Sequence, residues 1–433
     1  MARSKFKMRM AAGLIILAVA VFALITLDRG RLRLPVGQGT PAICLGERHG
    51  LILASDGSLW SWGSEFLGWP MLGLGQETMK SFRLRRIGHE TNWVGISIGD
   101  EYNLAVKSDG TIWTWGEDVT VQYPPWRAFF TPTLAAPGND WKQAAAGGYF
   151  SAALKKDGTL WAWGANYVGE LGIGSTNFSS APAQVGSATN WIKVWAGNNG
   201  TVAMRSDGSL WYWGVNPDPA FGYGTNPIVA PKRMSPDTNW VDVGFGDNTT
   251  VFAIKSDGTL WTWGQRADRY TGATNTAQDA IPTRVGTDSD WQSICATVGW
   301  WINGLTKKDG SLWLMDGSSG YPNGPRPPYF QVKFRPMEFQ KDHVAYAAGA
   351  VHIAGPGNHA AIGVVLTRDG EVWTWGVPLG DPPTLKSRWK ALCNSIGRSR
   401  HPKTNITAFD LDLGPDPNVF REKPWQLRNI DSN

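Results

Sequence analysis

Carboxylates, imidazoles and thiols are the side chains of this 433-residue sequence that could do chemistry, and their spacing limits what that chemistry is. Seven aspartates are each followed by glycine: Asp56, Asp109, Asp157, Asp207, Asp257, Asp309 and Asp369. Carboxylates in such numbers suit calcium loops or general acid and base work. Their identical setting between two apolar runs points instead to a tight hairpin turn in which the glycine takes positive φ. His343, His352 and His359 cluster beside Asp342, a donor set suited to a metal ion only if the local fold gathers it. His49, three residues after Gly46, reads as structural, and Asp410, Asp412 and Asp416 lack EF-hand spacing. Cys44, Cys295 and Cys393 are scattered and odd in number, so they signal neither a disulfide framework nor a Cys-x-x-Cys metal site. His-Glu-x-x-His, Gly-x-x-x-x-Gly-Lys and Gly-x-Gly-x-x-Gly are all missing from the sequence. No catalytic residue, metal ligand or cofactor is therefore expected, and the chain reads as a non-enzyme.

The elements that carry these aspartates repeat every 48 to 60 residues. At a fixed offset after each Asp-Gly stands Trp60, Trp113, Trp161, Trp211, Trp261, Trp313 or Trp373. Six copies add Trp-Gly two residues later, and the sixth copy has Met315-Asp316 there. In residues 104–116 (LAVKSDGTIWTWG) a two-residue type I′ turn at Asp109-Gly110 predicts Val106 opposite Trp113 and Leu104 opposite Trp115. Those four side chains would then share one apolar face. A lone hairpin cannot bury such a face, so it must stack on the next copy. Upstream of most turns lie a glycine (Gly46, Gly99, Gly147, Gly197, Gly246 and Gly299) and, in five copies, a further Trp (Trp93, Trp141, Trp191, Trp240 and Trp291). A Pro-x-x-apolar element precedes that Trp, at Pro132, Pro182 and Pro282. Four short strands per copy make one blade. The expected fold is all-β, a seven-bladed β-propeller over residues 39–433, with a non-repeat excursion at 377–423. Residues 424–427 (PWQL) are expected to complete the blade begun at 40–63 and so to close the ring.

Composition agrees, with 25 Trp, 52 Gly and only 18% charged residues. The net charge of +5 is confined to the N-terminus: residues 1–34 hold seven Lys/Arg against one Asp, a local +6 that leaves the rest at −1. Such a body has no excess of basic charge with which to displace counterions from phosphates, and no nucleic acid is expected as partner. Residues 11–27 (AAGLIILAVAVFALITL), from Ala11 to Leu27, form an apolar run behind a basic stretch. That is the pattern of a signal peptide or an uncleaved anchor. Its length is at the lower edge of what spans a bilayer, and its Ala-x-Ala site, Ala18 to Ala20, is inside the run, where cleavage would leave an apolar terminus. The anchor reading is preferred, giving residues 1–34 as a cytoplasmic basic tail, transmembrane helix and flank, with the propeller outside the cytoplasm; the alternative is a secreted protein.

The repeat resembles that of the RCC1 (regulator of chromosome condensation) family, whose pattern runs Trp, Gly, Asp-Gly, Trp-Gly-x-Asn, Gly-x-Leu-Gly. The third copy matches at Gly147, Asp157-Gly158, Trp163-Gly164, Asn166, Gly169, Leu171, Gly172 and Gly174. The resemblance covers residues 39–376 and implies an RCC1-like seven-bladed propeller, nearer to exported bacterial members because of the anchor and the near-neutral body. The segments that follow each Trp-x-Trp-Gly leave the blades at equivalent places and so gather on one face. They carry Phe66, Trp69, Tyr123, Trp126, Phe129, Phe130, Tyr167, Phe221, Tyr223, Tyr270, Tyr321, Tyr329 and Phe330. Of these, Phe66, Trp69, Tyr123, Trp126, Tyr167, Tyr223, Tyr270, Tyr321 and Tyr329 are the candidate partner-binding residues, since aromatics anchor protein interfaces. A monomeric propeller that binds another protein is expected. The competing readings are a carbohydrate-binding or carbohydrate-cleaving propeller that uses aromatic platforms, and a guanine-nucleotide exchange factor.

Overall fold

The Asp-Gly turn is a three-residue loop, which differs from the expected two-residue type I′ turn. In the computed structural model Lys107 N donates to Thr111 O (3.0 Å) and Gly110 N to Lys107 O (2.9 Å), with Gly110 at φ +86°. This is a type I turn followed by a glycine bulge. The extra residue shifts the register by one, so Ala105 faces Trp113 and Asn103 faces Trp115. Leu104, Val106 and Ile112 therefore point the other way, because a one-residue slip exchanges the faces of a strand. Each hairpin is apolar on both faces, where the sequence suggested one.

The structure describes residues 33–46, 48–64, 69–75, 80–125, 127–216, 226–246, 250–264, 281–295, 302–316, 333–337, 339, 342–352, 359–376 and 421–426. The expected anchor at 11–27 and residues 377–420 of the excursion lie outside them. Among the described residues there are seven four-stranded antiparallel sheets, and no helix is long and apolar enough to cross a membrane. We number the blades I to VII, over 42–87, 93–136, 141–184, 191–233, 240–285, 291–336 and 343–426. Blade II is typical, with strands Trp93–Ile98, Tyr102–Lys107, Ile112–Glu117 and Ala128–Ala136. The first strand of each blade touches the first strand of the next, and that of blade VII touches blade I. The seven blades thus form a closed ring around their first strands.

Two-faced blades explain the core, which consists of seven apolar clusters, one at each blade junction. Between I and II, Leu51, Leu53 and Leu59 meet Trp93, Ala105 and Trp115. Between II and III, Leu104, Val106 and Ile112 meet Trp141, Ala153 and Trp163. The same arrangement recurs around the ring, with Trp213 and Trp263 at the next two junctions. The aliphatic face of one blade receives the tryptophan face of its successor, and each fully buried large side chain contributes roughly 1.5–3 kcal/mol.

The turn residues hold the first Trp of each pair. Asp109 Oδ1 accepts from Thr111 N (2.9 Å) and Thr111 Oγ1 (2.7 Å), and Thr111 Oγ1 accepts from Trp113 Nε1 (2.8 Å). The full relay recurs in four more blades, through Ser58, Thr159, Ser209 and Thr259. In blade VI Ser311 again receives Trp313 Nε1. These hydrogen bonds hold the turn carboxylates of Asp109, Asp157, Asp207, Asp257 and Asp309 below the usual range. The residue two before the Asp is a cation lying over two indoles: Lys107 Nζ is 4.6 Å from the Trp93 ring and 3.8 Å from Trp113, and it pairs with Glu90 at 2.6 Å. Lys155, Arg205, Lys255 and Lys307 repeat the sandwich in blades III to VI.

Ring closure also departs from expectation. Residues Arg421–Gln426 pair with Val372–Gly376 and complete blade VII, while blade I has its own fourth strand, Lys80–Ile87. That strand (KSFRLRRI) contains no proline, so the Pro-x-x-apolar pattern could not find it. Closure falls instead to the N-terminal side of blade I. At successive junctions the amide of the next blade's Trp donates to the turn glycine, as Trp141 N to Gly110 O (3.0 Å) and Trp191 N to Gly158 O (3.1 Å). At the last junction Leu34 N donates to Gly370 O (2.8 Å), and Leu34 is buried among Ile43, Val364 and Val372. Beside it Arg33 pairs with Glu371 at 3.3 Å. Arg33 and Leu34, expected in the flank of the anchor, thus belong to the propeller.

Leu34→Ala should lower the unfolding free energy by about 2–4 kcal/mol, since it empties a buried leucine site at the only junction that the chain does not bridge covalently. Thr259→Val should cost about 1–3 kcal/mol by leaving Trp261 Nε1 and Asp257 without the shared hydroxyl. Urea unfolding followed by Trp fluorescence measures both.

Candidate functional site

Antiparallel pairing sorts the connections between two ends of the ring. The Asp-Gly turns and the crossings between blades lie at one end. The connections after the first and third strands leave at the other, which we call the loop face. Segments that follow Trp-x-Trp-Gly are third-to-fourth-strand connections, so they do share a face.

Of the nine candidate aromatics, three fall among the described residues. Tyr123 of blade II is 70% exposed and Tyr167 of blade III is 69% exposed. Trp69 is half-buried in blade I, in the segment that folds over blade II, where Met71 O accepts from Asn103 Nδ2 (2.9 Å) and Trp115 Nε1 (3.0 Å). Phe66, Trp126, Tyr223, Tyr270, Tyr321 and Tyr329 lie outside the described residues, as do Phe221 and Phe330. Phe129 and Phe130 are strand residues of blade II, and Phe129 packs on the junction between blades I and II.

The sequence reading overlooked Tyr149 and Glu117. Tyr149, 43% exposed, follows Gly148 in the first-to-second-strand connection of blade III, a class of loop that a search after Trp-x-Trp-Gly does not reach. Tyr149 O accepts from Ala165 N (2.9 Å), two residues before Tyr167, and Gly148 O accepts from Asp100 N (3.3 Å) of blade II. The three tyrosines therefore border one sector of the loop face, across blades II and III.

That sector is acidic. Glu117 N donates to Glu101 O (2.9 Å), which fixes it beside Asp100, Glu101 and Asp118. The residue is 8% exposed and its Oε2 is sealed off without a hydrogen-bond partner. Burial pushes the carboxyl up to about 7, helped by Glu101, Asp100 and Asp118. The equivalent residues of blades III and IV, whose amides make the same bond, are Ala165 and Val215, both buried. A carboxylate where blades III and IV have buried Ala165 and Val215, and blade I has Ser64, is the signal the sequence offered. Asp118 is engaged, accepting from Thr120 N (3.0 Å) and pairing with exposed Arg127 at 3.1 Å. Glu170 of blade III is buried and accepts from Val168 N (2.8 Å).

The other candidate groups have packing roles. His49 is buried with Nε2 2.7 Å from Asn103 Oδ1, and burial lowers it to about 4. His343 occupies the place of the missing Trp in blade VII and stacks against Phe339, while Asp342 Oδ2 accepts from Arg368 Nε (2.7 Å). The side chains of His352 and His359 are outside the described set. Among the described residues no three His, Cys, Asp or Glu side chains are placed to hold a metal ion. Cys44 is a free thiol, raised by burial to about 12. Cys295 is likewise free and raised.

Models of the regulator of chromosome condensation (RCC1) repeat match residues 141–170 and 157–204. The chain forms an RCC1-like propeller. Among solved structures, human WBSCR16 resembles it at a TM-score of 0.56 with 15% identity, over 86% of this chain and 93% of that one. Prp20p from Saccharomyces cerevisiae, described together with its binding to Gsp1p and histones, gives a TM-score of 0.56 at 17% identity, over 81% and 85%. Yeast RCC1 (Prp20) bound to Kap60 gives 0.55 at 17%, over 82% and 83%. Likeness at these identities establishes the fold. No curated protein sequence matches the chain.

Glu117 gives the RCC1-like propeller a defined pH response. Its folded-state value of about 7 lies above the ordinary 4.5, so between those values the folded chain holds the proton more tightly. Stability due to this group is full below the lower value and is lost as pH rises through the upper one. His49 acts in the opposite sense, losing stability as pH falls from its ordinary 6.5 to about 4. Glu117→Gln should therefore be more stable than wild type by about 1–3 kcal/mol at about pH 8 and nearly equal to it at about pH 4, as read by urea unfolding.

Proposed function

We propose that this RCC1-like propeller is a non-enzymatic, membrane-tethered interaction module of the exported bacterial type, displayed outside the cytoplasm, that binds a protein partner through its loop face. The observation that carries the reading is the sector formed by Tyr123, Tyr149 and Tyr167, three exposed tyrosines held on adjacent rigid blades. Tyrosine supplies a large amphipathic contact at low entropic cost, which is why it anchors protein interfaces. Protein binding attributed to Prp20p, to Gsp1p and histones, is consistent with this use of the fold. The basic stretch and apolar run of residues 1–27 support tethering, and the near-neutral body argues against nucleic acid. Repeat aspartates committed to hydrogen bonds within their turns support a non-enzymatic role.

Crosslinking in intact cells, followed by purification of the chain, should capture a partner from wild type. A variant carrying Tyr123→Ala, Tyr149→Ala and Tyr167→Ala should lose about tenfold or more of that signal while keeping its fold. Equal capture by both would place the interface elsewhere. The chain should also stay in the membrane pellet after an alkaline wash, and its release would contradict the anchor.

A further inference from the structure

Glu117 is a buried carboxylate on which, among the described residues, the charges that act are acidic. Its Oε2 is enclosed without a hydrogen bond, and among the described residues the groups that set its charge are Glu101, Asp100 and Asp118, all acidic. Tyr102 of the adjoining strand is neutral, raised far above its ordinary value first by burial. Arg127, the cation of the same connection, is spent on Asp118. Blade I contributes His49, which burial keeps neutral. In blades III and IV the equivalent Ala165 and Val215 show that the fold itself needs no acid there. An unpaired buried carboxylate costs stability and finds its use when a cation arrives from outside.

We propose that the acidic sector of blade II receives an arginine or lysine side chain from an extended basic segment of the protein partner, with Glu117 as the counter-charge. This deepens the loop-face reading and rests on it. A protein cation fits better than a metal ion, because no three ligating side chains converge among the described residues. It also fits the surroundings. Tyr149 follows Gly148, whose carbonyl binds the Asp100 amide, and Tyr123 lies in the same connection as Asp118, so both tyrosines lie in loops that carry or bind the acids. A guanidinium stacks on tyrosine rings while its N–H groups reach the carboxylate. The 8% of Glu117 left accessible is the place of contact, and the alkyl stem of the incoming residue covers the rest. Ionised Glu117 is the form that binds, so protonation competes with the partner.

The test titrates the full chain in detergent with fluorescein-labelled octa-arginine and with octa-citrulline, its uncharged isostere, by anisotropy. Octa-arginine should bind wild type about tenfold or more tightly than octa-citrulline at about pH 8, and should weaken about tenfold at about pH 5.5. Glu117→Gln should bind octa-arginine about tenfold more weakly at about pH 8 and lose the pH dependence. Glu117→Asp should recover part of both, which separates the charge from any loss of fold. Unchanged affinity in Glu117→Gln, or equal affinity for the two peptides, overturns the proposal, as does Glu117-dependent binding of calcium with none of octa-arginine. Its failure is separable from that of the loop-face reading. A partner captured by Glu117→Gln but lost by the tyrosine variant leaves the face in place and removes the basic side chain. A partner captured by both removes the face.

Discussion

The backbone carbonyl of the turn glycine is the point on which the ring depends. It lies at the tip of a hairpin whose Asp and Ser or Thr have already fixed the first indole, and it accepts the amide that begins the next blade, as Gly110 O does from Trp141 N. A buried amide at a blade junction needs an acceptor. Because that acceptor belongs to the preceding turn, each hairpin sets the height and angle of its successor. Glycine is required there on two counts: φ is +86° at Gly110, and a Cβ would stand 2.0 Å from Asn139 O. One small turn therefore determines strand register, indole orientation and blade spacing together.

From that constraint the two-faced blade follows. The three-residue loop puts both tryptophans on one side and the aliphatic residues on the other, so every junction pairs unlike surfaces. Edge-to-face indoles, such as Trp191 and Trp211 at 6.1 Å, give the junction directional preference as well as area. The cation between the indoles adds electrostatic attraction while its stem fills the gap, and its acidic partner at the rim limits the desolvation cost. Blades I and VII carry Ala54 and Thr367 in place of that cation. At the junction between them Arg33 and Leu34 supply a charge, an amide and an apolar side chain from outside the repeats. The closing contact thus imitates an ordinary junction with residues from a non-repeat segment.

Blade number, turn position and the gathering of loops were legible in the sequence because Asp-Gly and Trp-x-Trp recur with one geometry. Register was not. Asp-Gly serves a two-residue turn and a three-residue bulged turn alike, and the residue after the glycine does not decide between them, since blade VII makes the bulged turn with Glu371 where the others have Ser or Thr. Closure was misread because the fourth strand of blade I has no proline, so PWQL was left to pair with the wrong blade. Tyr123 and Tyr167 were found because they follow a strong motif. Tyr149 and Glu117 were missed because their significance is relational: one lies in a loop without a motif, and the other is visible only against Ala165 and Val215.

That comparison also says where function can be read in a repeat protein. Seven copies solve one packing problem, so each repeat position has a typical chemistry set by its neighbours, and a residue that departs from it at a cost must be maintained by something other than the fold. Departures come in two kinds here. Glu371 and Leu34 are unlike their counterparts yet make the contacts those counterparts make, accepting from Trp373 Nε1 and donating to Gly370 O, while His343 meets Phe339 edge-to-face. They are structural substitutions. Glu117 stands where blades III and IV have Ala165 and Val215, gains no hydrogen bond at Oε2 and has like charge around it. It lies on the loop face, while Leu34 and Glu371 lie at the closing junction and His343 beside Phe339 in blade VII. The separation of the two kinds in space is what turns the acidic sector from an irregularity of one blade into the part of the surface where a partner's charge would stabilise both molecules.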